Sequence, residues 1–162
     1  MKASRLKILL ERYPAIPDLR QRAQQRIPHV AWEYLDCGTG DERGVARNLE
    51  KMAEVTLLPR FMKGELKPDL STTLFGQVYR APFGVAPIGL SGLMWPRVEC
   101  TLARTAARYR FPYTLSTVAT QPPEVVGPIA GGMGWFQLYP PRAREVRQDL
   151  LRRSRRPASS PW

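Results

Sequence analysis

The sequence predicts an α/β chain: helices in the first third, then strand–helix repeats that lay parallel strands side by side. Three observations carry this. Helix-start and helix-stop residues punctuate residues 17–52. From residue 83 onward, three short apolar runs alternate with stretches at helical spacing. Proline or glycine bounds these segments, as at Pro82 and Gly89. A strand that leads through a helix to the next strand produces a parallel sheet or a barrel. An open doubly wound sheet and a (β/α)8 barrel both begin this way. Three strands cannot close a barrel, which takes roughly 250 residues.

Each element has its own local reason. Pro17 and Asp18 open a short helix over residues 19–26. Pro28 stands in the first turn of a second helix carrying Trp32, Tyr34 and Leu35, with Gly38 as its expected C-cap. Asp41 can cap a third helix running through Met52, with Glu42 favouring the helix dipole. Residues 55–58 read as a short extended piece ending at Pro59. The β-forming residues 72–75 and 78–80 flank Gly76 and Gln77, which predicts a hairpin. Residues 83–88 then form a compact apolar run suited to a strand buried on both faces. A helix with Val98, Leu102, Ala106 and Tyr109 at near-helical spacing follows. Strands over residues 113–117 and 135–139 each precede a helix, near residues 124–129 and 143–153.

Composition narrows the class. An apolar content of 43% in 162 residues supports a folded core. The net charge of +11 is uneven: from Pro140 onward there are seven arginines against Glu145 and Asp149. Such a stretch can attract nucleic acid or an anionic surface, although solvated helix faces and chain ends are commoner causes. Cys37 and Cys100 form no metal-spaced pair, and a single histidine argues against a Cys/His zinc site, so no metal is expected. The first residues carry only a brief apolar run, Ile8, Leu9 and Leu10. No run approaches the roughly 18 residues needed to span a bilayer. A reduced cytoplasmic setting is expected, with a membrane-peripheral surface left open.

In parallel α/β folds, ligands collect at the carboxyl ends of strands. Here those ends are residues 86–89, 115–117 and 136–139. They offer a glycine-relaxed backbone, a hydroxyl, a carboxamide and a phenol. Such a set can satisfy the buried N–H and C=O groups along the edge of a planar heteroaromatic ring. It contains no obvious nucleophile–base couple, and the chain has no GxGxxG or Walker loop. Polar residues end strands in many βα proteins, so ordinary loop satisfaction is the competing reading.

Ordered segments carry a resemblance across about residues 16–151. They are Ile27-Pro28, Trp32-Glu33-Tyr34-Leu35-Asp36-Cys37-Gly38, Asp41-Glu42, Arg47-Asn48 and Leu58-Pro59-Arg60, then Ser71-Thr72-Thr73-Leu74-Phe75-Gly76 and Ala81-Pro82-Phe83-Gly84-Val85-Ala86-Pro87, and finally Leu115-Ser116-Thr117 and Trp135-Phe136-Gln137-Leu138-Tyr139. In that order and spacing the chain resembles the FMN-dependent 2-hydroxy-acid dehydrogenases and oxidases, such as glycolate oxidase and the L-lactate and mandelate dehydrogenases. The resemblance implies N-terminal helices plus the first three βα units of a TIM (β/α)8 barrel, the barrel incomplete. It implies FMN as cofactor and a small, lactate-like L-2-hydroxy acid as substrate, in enzymes that are often homo-oligomeric. By the same resemblance Tyr34 binds the substrate carboxylate, and Pro87, Ile88 and Gly89 lay their backbone against the flavin. Ser116 and Gln137 bond the flavin edge. Tyr139 is a catalytic phenol near the substrate hydroxyl.

The family's histidine base, its arginine and its lysine lie beyond the glutamine–tyrosine strand, and no counterpart follows Tyr139 here. His29 precedes Tyr34 and matches no catalytic position. Arg97-Val98 replaces an acidic–glycine pair, leaving a helix start less well capped, and Val118 stands where some members carry an aromatic. Residues 1–151 are therefore expected to be the front of the family domain, and residues 152–162 an arginine, serine and proline-rich tail outside it. The tail's composition suggests a reading-frame shift, hence a truncated, inactive product that holds FMN weakly. A non-catalytic module binding an anionic partner or nucleic acid through the basic tail is the alternative. An unfinished sheet with exposed edges is the third possibility.

Overall fold

The computed structural model describes residues 3–62, 64–65 and 67–154, in two compact units, Met1–Arg60 and Phe61–Trp162. The first unit holds α1 (Ala3–Arg12), α2 (Ile16–Gln24), α3 (His29–Asp36) and α4 (Arg43–Ala53). A short capping turn opens α2: Asp18 accepts a hydrogen bond from the Ala15 amide at 3.0 Å. The Arg20 guanidinium grips both oxygens of Asp36, Nε to Oδ1 at 2.8 Å and Nη2 to Oδ2 at 2.6 Å, tying α2 to α3. That fork holds the Asp36 carboxyl below its usual range. Arg20 also lies 5.8 Å from the ring centre of buried Trp32.

Two expectations for this unit need adjustment. The chain leaves α3 through Cys37 in extended backbone, so Gly38 follows the helix without serving as a left-handed cap. Glu42, in the left-handed region at φ 60°, is the residue before α4, and Asp41 accepts from the Arg43 amide at 3.4 Å and pairs with the Arg43 guanidinium at 2.6 Å. Residues 55–58, expected as a short extended piece, are exposed and lie outside helix and strand. The helix α1, which no sequence signal announced, precedes the expected ones.

The second unit begins with an antiparallel hairpin of β1 (Thr72–Leu74) and β2 (Gln77–Tyr79). Phe75 and Gly76 both take positive φ, 51° and 77°, the backbone a tight right-twisted hairpin requires. After it come α5 (Val98–Tyr109), β3 (Tyr113–Ser116), α6 (Pro123–Ala130), β4 (Gly134–Gln137) and α7 (Arg144–Ser154). The strands β3 and β4 are parallel, with Ser116 opposite Gln137, and Val85 bridges to Tyr113 on the other side of β3. Three parallel segments, each but the first preceded by a helix, confirm the α/β reading. They close no barrel among the described residues. The expected strand over residues 83–88 shrinks to that bridge, with Phe83 64% and Ile88 39% exposed. Pro82 and Pro87 lack the N–H a ladder needs, and only β3 lies alongside.

The core of this unit is where α5 and α6 lie on β3: Cys100, Ala103, Ala106, Tyr113, Leu115, Val126 and Ala130. The buried face of α5 is Glu99, Cys100, Ala103 and Ala106, rotated from the Val98, Leu102, Ala106 and Tyr109 face that apolar spacing suggested. Small side chains let the helix approach the strand, which leaves Tyr109 half-exposed. The hairpin is joined to β4 by Trp135, whose Nε1 donates to the Tyr79 hydroxyl at 3.0 Å while Phe75 packs edge-on against its ring. Arg153 of α7 bonds Glu124 of α6 through both Nε and Nη2. Of the tail expected over residues 152–162, residues 155–162 lie outside the described residues.

The Tyr113 phenol sits in this core, 4% exposed, and is pushed up to about 12 by burial first and then by the nearby Glu99 and Cys100. A raised phenol pKa means the neutral form stabilises the fold below pH 10.0, the ordinary value, and that stability is lost as pH rises to about 12. Tyr113→Phe should therefore lose less stability across that window than the parent chain. Alkaline titration followed by tyrosinate absorbance and circular dichroism checks it; identical alkaline midpoints would contradict it.

Candidate active site at the strand ends

The carboxyl ends of β3 and β4 carry a neutral hydrogen-bonded set. Ser116, 5% exposed, donates from Oγ to Gln137 Oε1 at 3.0 Å and accepts from the Val118 amide at 3.2 Å. Register explains the pairing: side chains directly opposite on adjacent strands point to one face. Ser116 thus engages the carboxamide oxygen of Gln137. One residue on, Thr117 Oγ1 donates to the Gln137 carbonyl and accepts from the Tyr139 amide at 2.9 Å. That hydroxyl fixes the turn by which the chain leaves β4, and with it the start of the Tyr139 side chain, which is 60% exposed.

The loop after the Val85 bridge, residues 87–89, reaches the same end of the sheet. The Leu90 amide donates to the Val118 carbonyl at 2.9 Å, joining this loop to the one after β3. Pro87, Ile88, Gly89, Ser116, Gln137 and Tyr139 are thus all parts of the second unit, brought together by strand order. Tyr34 belongs to the first unit, half-exposed on α3. His29 opens α3 with its side chain 88% exposed, 3.5 Å from Glu33.

Two further participants carry little signal in the sequence. Thr117 stands in the sequence only as a motif residue, yet its hydroxyl links β3 to the Gln137–Tyr139 turn. Glu99 was passed over because an acidic residue in the first turn of a helix is normally a solvated dipole partner. In the structure it is 1% exposed, with Oε1 accepting from Ser91 Oγ at 2.8 Å, the Thr120 amide at 2.9 Å and Thr120 Oγ1 at 2.6 Å. Burial opposes its ionisation, but the bonds from Thr120, its own backbone amide and Ser91 outweigh that, and the carboxyl stays below its usual range. The usable signal was Arg97: a helix start with no side-chain cap, at φ 58°, leaves Glu99 as the polar group nearest the first turn.

The profile of the FMN-dependent dehydrogenase family matches residues 23–160. The chain belongs to the FMN-dependent dehydrogenase family. An L-lactate dehydrogenase of Caulobacter vibrioides is 39% identical over 137 residues, covering 85% of this chain and 36% of the relative. Another, from Xanthomonas euvesicatoria, is 38% identical over 141 residues, 87% of this chain and 36% of the relative. The chain thus spans about a third of the length of these relatives. Among solved structures, mandelate oxidase superposes with a TM-score of 0.78 at 30% identity, covering 88% of this chain and 41% of that one. A mutant of an active (S)-mandelate dehydrogenase chimera gives 0.77 at 30%, covering 85% and 39%.

These solved relatives are TIM-barrel flavoenzymes, so the Val85 segment, β3 and β4 are consecutive staves of an incomplete TIM barrel. FMN is the cofactor of the family. The strand-end residues fit one edge of that group: an uncharged set of hydroxyl, carboxamide and backbone amides matches a ring whose edge alternates N–H, C=O and bare nitrogen. Among the described residues, no group of three or more His, Cys, Asp or Glu could hold a metal. No described helix is long and apolar enough to cross a membrane.

Proposed function

We propose that this chain forms one flank of an FMN site for oxidation of a small, lactate-like L-2-hydroxy acid to its 2-keto acid. The carrying observation is the Ser116–Gln137 pair, in register at neighbouring carboxyl ends of two parallel strands in a member of this family. FMN, when bound, supplies the acceptor for the hydride equivalent that leaves the substrate α-carbon. The backbone of Pro87, Ile88 and Gly89 would lie against the ring. Ser116 orients Gln137, whose Nε2 would donate to a ring acceptor. The Tyr139 phenol would stand beside the substrate hydroxyl as the catalytic group of this segment, and the family resemblance gives the substrate carboxylate to Tyr34, a residue of the first unit.

A general base must sit within hydrogen-bond reach of the proton it takes. The only histidine among these 162 residues is His29, exposed on α3. The 162-residue polypeptide by itself is accordingly inactive in this reading and holds FMN weakly, with residues 1–151 as the family portion and 152–162 as a separate tail. Cytoplasmic placement, a peripheral membrane contact and homo-oligomer formation belong to the same proposal for the intact enzyme. The alternative, a module that binds an anionic partner or nucleic acid, draws support from the arginines of residues 142–156.

Flavin titration of the purified chain separates these readings. Quenching of FMN fluorescence should be measurable at high protein concentration and weakened about tenfold by Gln137→Ala, which also strips Ser116 of its acceptor. No turnover of lactate, glycolate or mandelate is expected from the chain alone. FMN-dependent oxidation would overturn the inactivity, and equal quenching by Gln137→Ala would sink the assigned site. Salt-sensitive polyanion binding that disappears on deleting residues 152–162 would favour the module instead.

A further inference from the structure

The loop after the Val85 bridge and the loop after β3 meet over one buried carboxylate. Glu99 Oε1 receives three hydrogen bonds, one from Ser91 on the first loop and two from Thr120 on the second. Its other oxygen, Oε2, is buried with no partner among the described residues. A charge buried in this way is costly, and an apolar side chain of similar volume would fill the space at least as favourably. Packing alone therefore does not account for a glutamate here; the bonds it collects do. The two loops are also in close steric contact: a Cβ added at Gly92 would lie 2.1 Å from Thr120 Oγ1.

We propose that Glu99 is a positioning residue, a clamp that sets the spacing between the loop carrying Pro87–Gly89 and the loop that follows Ser116. This rests on the flavin-edge reading above, because the two loops are the ones assigned to the ring. The geometry gives the clamp its reach. Ser91 lies two residues past Gly89, and the Leu90 amide bonds the Val118 carbonyl, two residues past Ser116. Pulling Ser91 and Thr120 onto one oxygen draws Leu90 to Val118 and stretches the Val118 amide over Ser116 Oγ. The hydrogen bonds to Glu99 come from Ser91 and Thr120, neither of which is an assigned ring-binding residue. Glu99 acts through the backbone between the assigned residues.

Amide hydrogen exchange on the full 162-residue chain, without flavin, tests the clamp directly. Glu99→Leu removes the acceptor while filling the space. Exchange at Leu90, Val118 and Thr120 should accelerate about tenfold or more, while Tyr113 and Leu115 in the core keep their protection. Glu99→Gln retains an acceptor at Oε1 and should restore most of the loop protection. FMN quenching by the same variants should follow the loop exchange, weakened about tenfold in Glu99→Leu and recovered in Glu99→Gln. Unchanged loop exchange in Glu99→Leu would overturn the proposal, as would acceleration spread equally over loop and core. If Glu99→Leu does not fold, Ser91→Ala and Thr120→Val take its place, and unaltered Leu90 exchange in both is the overturning result. A parent chain that fails to quench FMN would instead sink the flavin reading, leaving the exchange result to decide the clamp.

Discussion

Gly84→Ala should detach the Val85 segment from β3 and lower the midpoint of unfolding of the second unit by about 4–20 °C. The segment is held by two backbone bonds, from the Val85 amide to the Pro112 carbonyl at 2.8 Å and from the Thr114 amide to the Val85 carbonyl at 3.0 Å. A Cβ at residue 84 would sit 2.5 Å from that same Pro112 oxygen and 2.6 Å from Pro112 Cγ. Pro112 is buried and its ring fixes its backbone, so the strands must part. A forced shift of this kind costs about 1–3 kcal/mol, to which the lost bonds add. The functional consequence follows, since residues 87–89 continue directly from this segment: flavin quenching should fall with the melting temperature. Thermal melts of both chains, with amide exchange at Val85 and Thr114, decide the matter. Unchanged protection at those two amides would show that the strand tolerates the methyl group.

Ala106→Leu should abolish cooperative unfolding of the second unit. Ala106 has no exposed surface and lies among Cys100, Ala103, Tyr113, Leu115, Val126 and Ala130. Three added heavy atoms have nowhere to go unless α5 moves off β3 or α6 moves away from both. Overpacking of this kind costs about 1–3 kcal/mol and sometimes more. The end of α5 feels it too, because the Phe111 amide donates to the Ala106 carbonyl at 3.1 Å just before β3 begins. Tyr109→Leu, one turn away on the exposed side, is the control and should change stability by less than about 0.5 kcal/mol. Denaturant unfolding followed by tryptophan fluorescence distinguishes them: a sharp transition of unchanged midpoint in Ala106→Leu would refute the tight approach of α5 to β3.

Much of the architecture was legible because its signals are local. A turn of β-formers around Gly76 encodes the hairpin within a few residues, and β3, β4, α6 and α7 fall within a residue or two of where their bounding prolines and glycines put them. Ser116 and Gln137 are legible as polar residues at two strand ends, and the structure puts them in hydrogen-bond contact. Other features depend on what lies across space. The run at residues 83–88 has the composition of a buried strand, but how far it pairs depends on its neighbours, and two prolines leave only Val85 bonded. The buried face of α5 departs from the one apolar spacing predicts, because spacing favours large residues. The helix packs through its smallest ones, with Glu99 among them.

What the sequence by itself determined is the α/β repeat and membership of a flavin-dependent family, together with the neutral, polar chemistry of the strand ends. Periodicity and bounding residues act over a few positions, and the ordered motifs record residue types that no fold has to be known to read. What only the tertiary structure decided is which of those residues share hydrogen bonds. Gln137 is aimed by Ser116 across the strands of a parallel pair, Tyr139 is anchored through Thr117, and Glu99 is a buried junction between two loops. Each of these bonds joins residues on separate segments of the chain, and the folded backbone alone sets their distance. A carboxylate reads the same in sequence whether it faces water or gathers three donors. Burial and register separate the two cases.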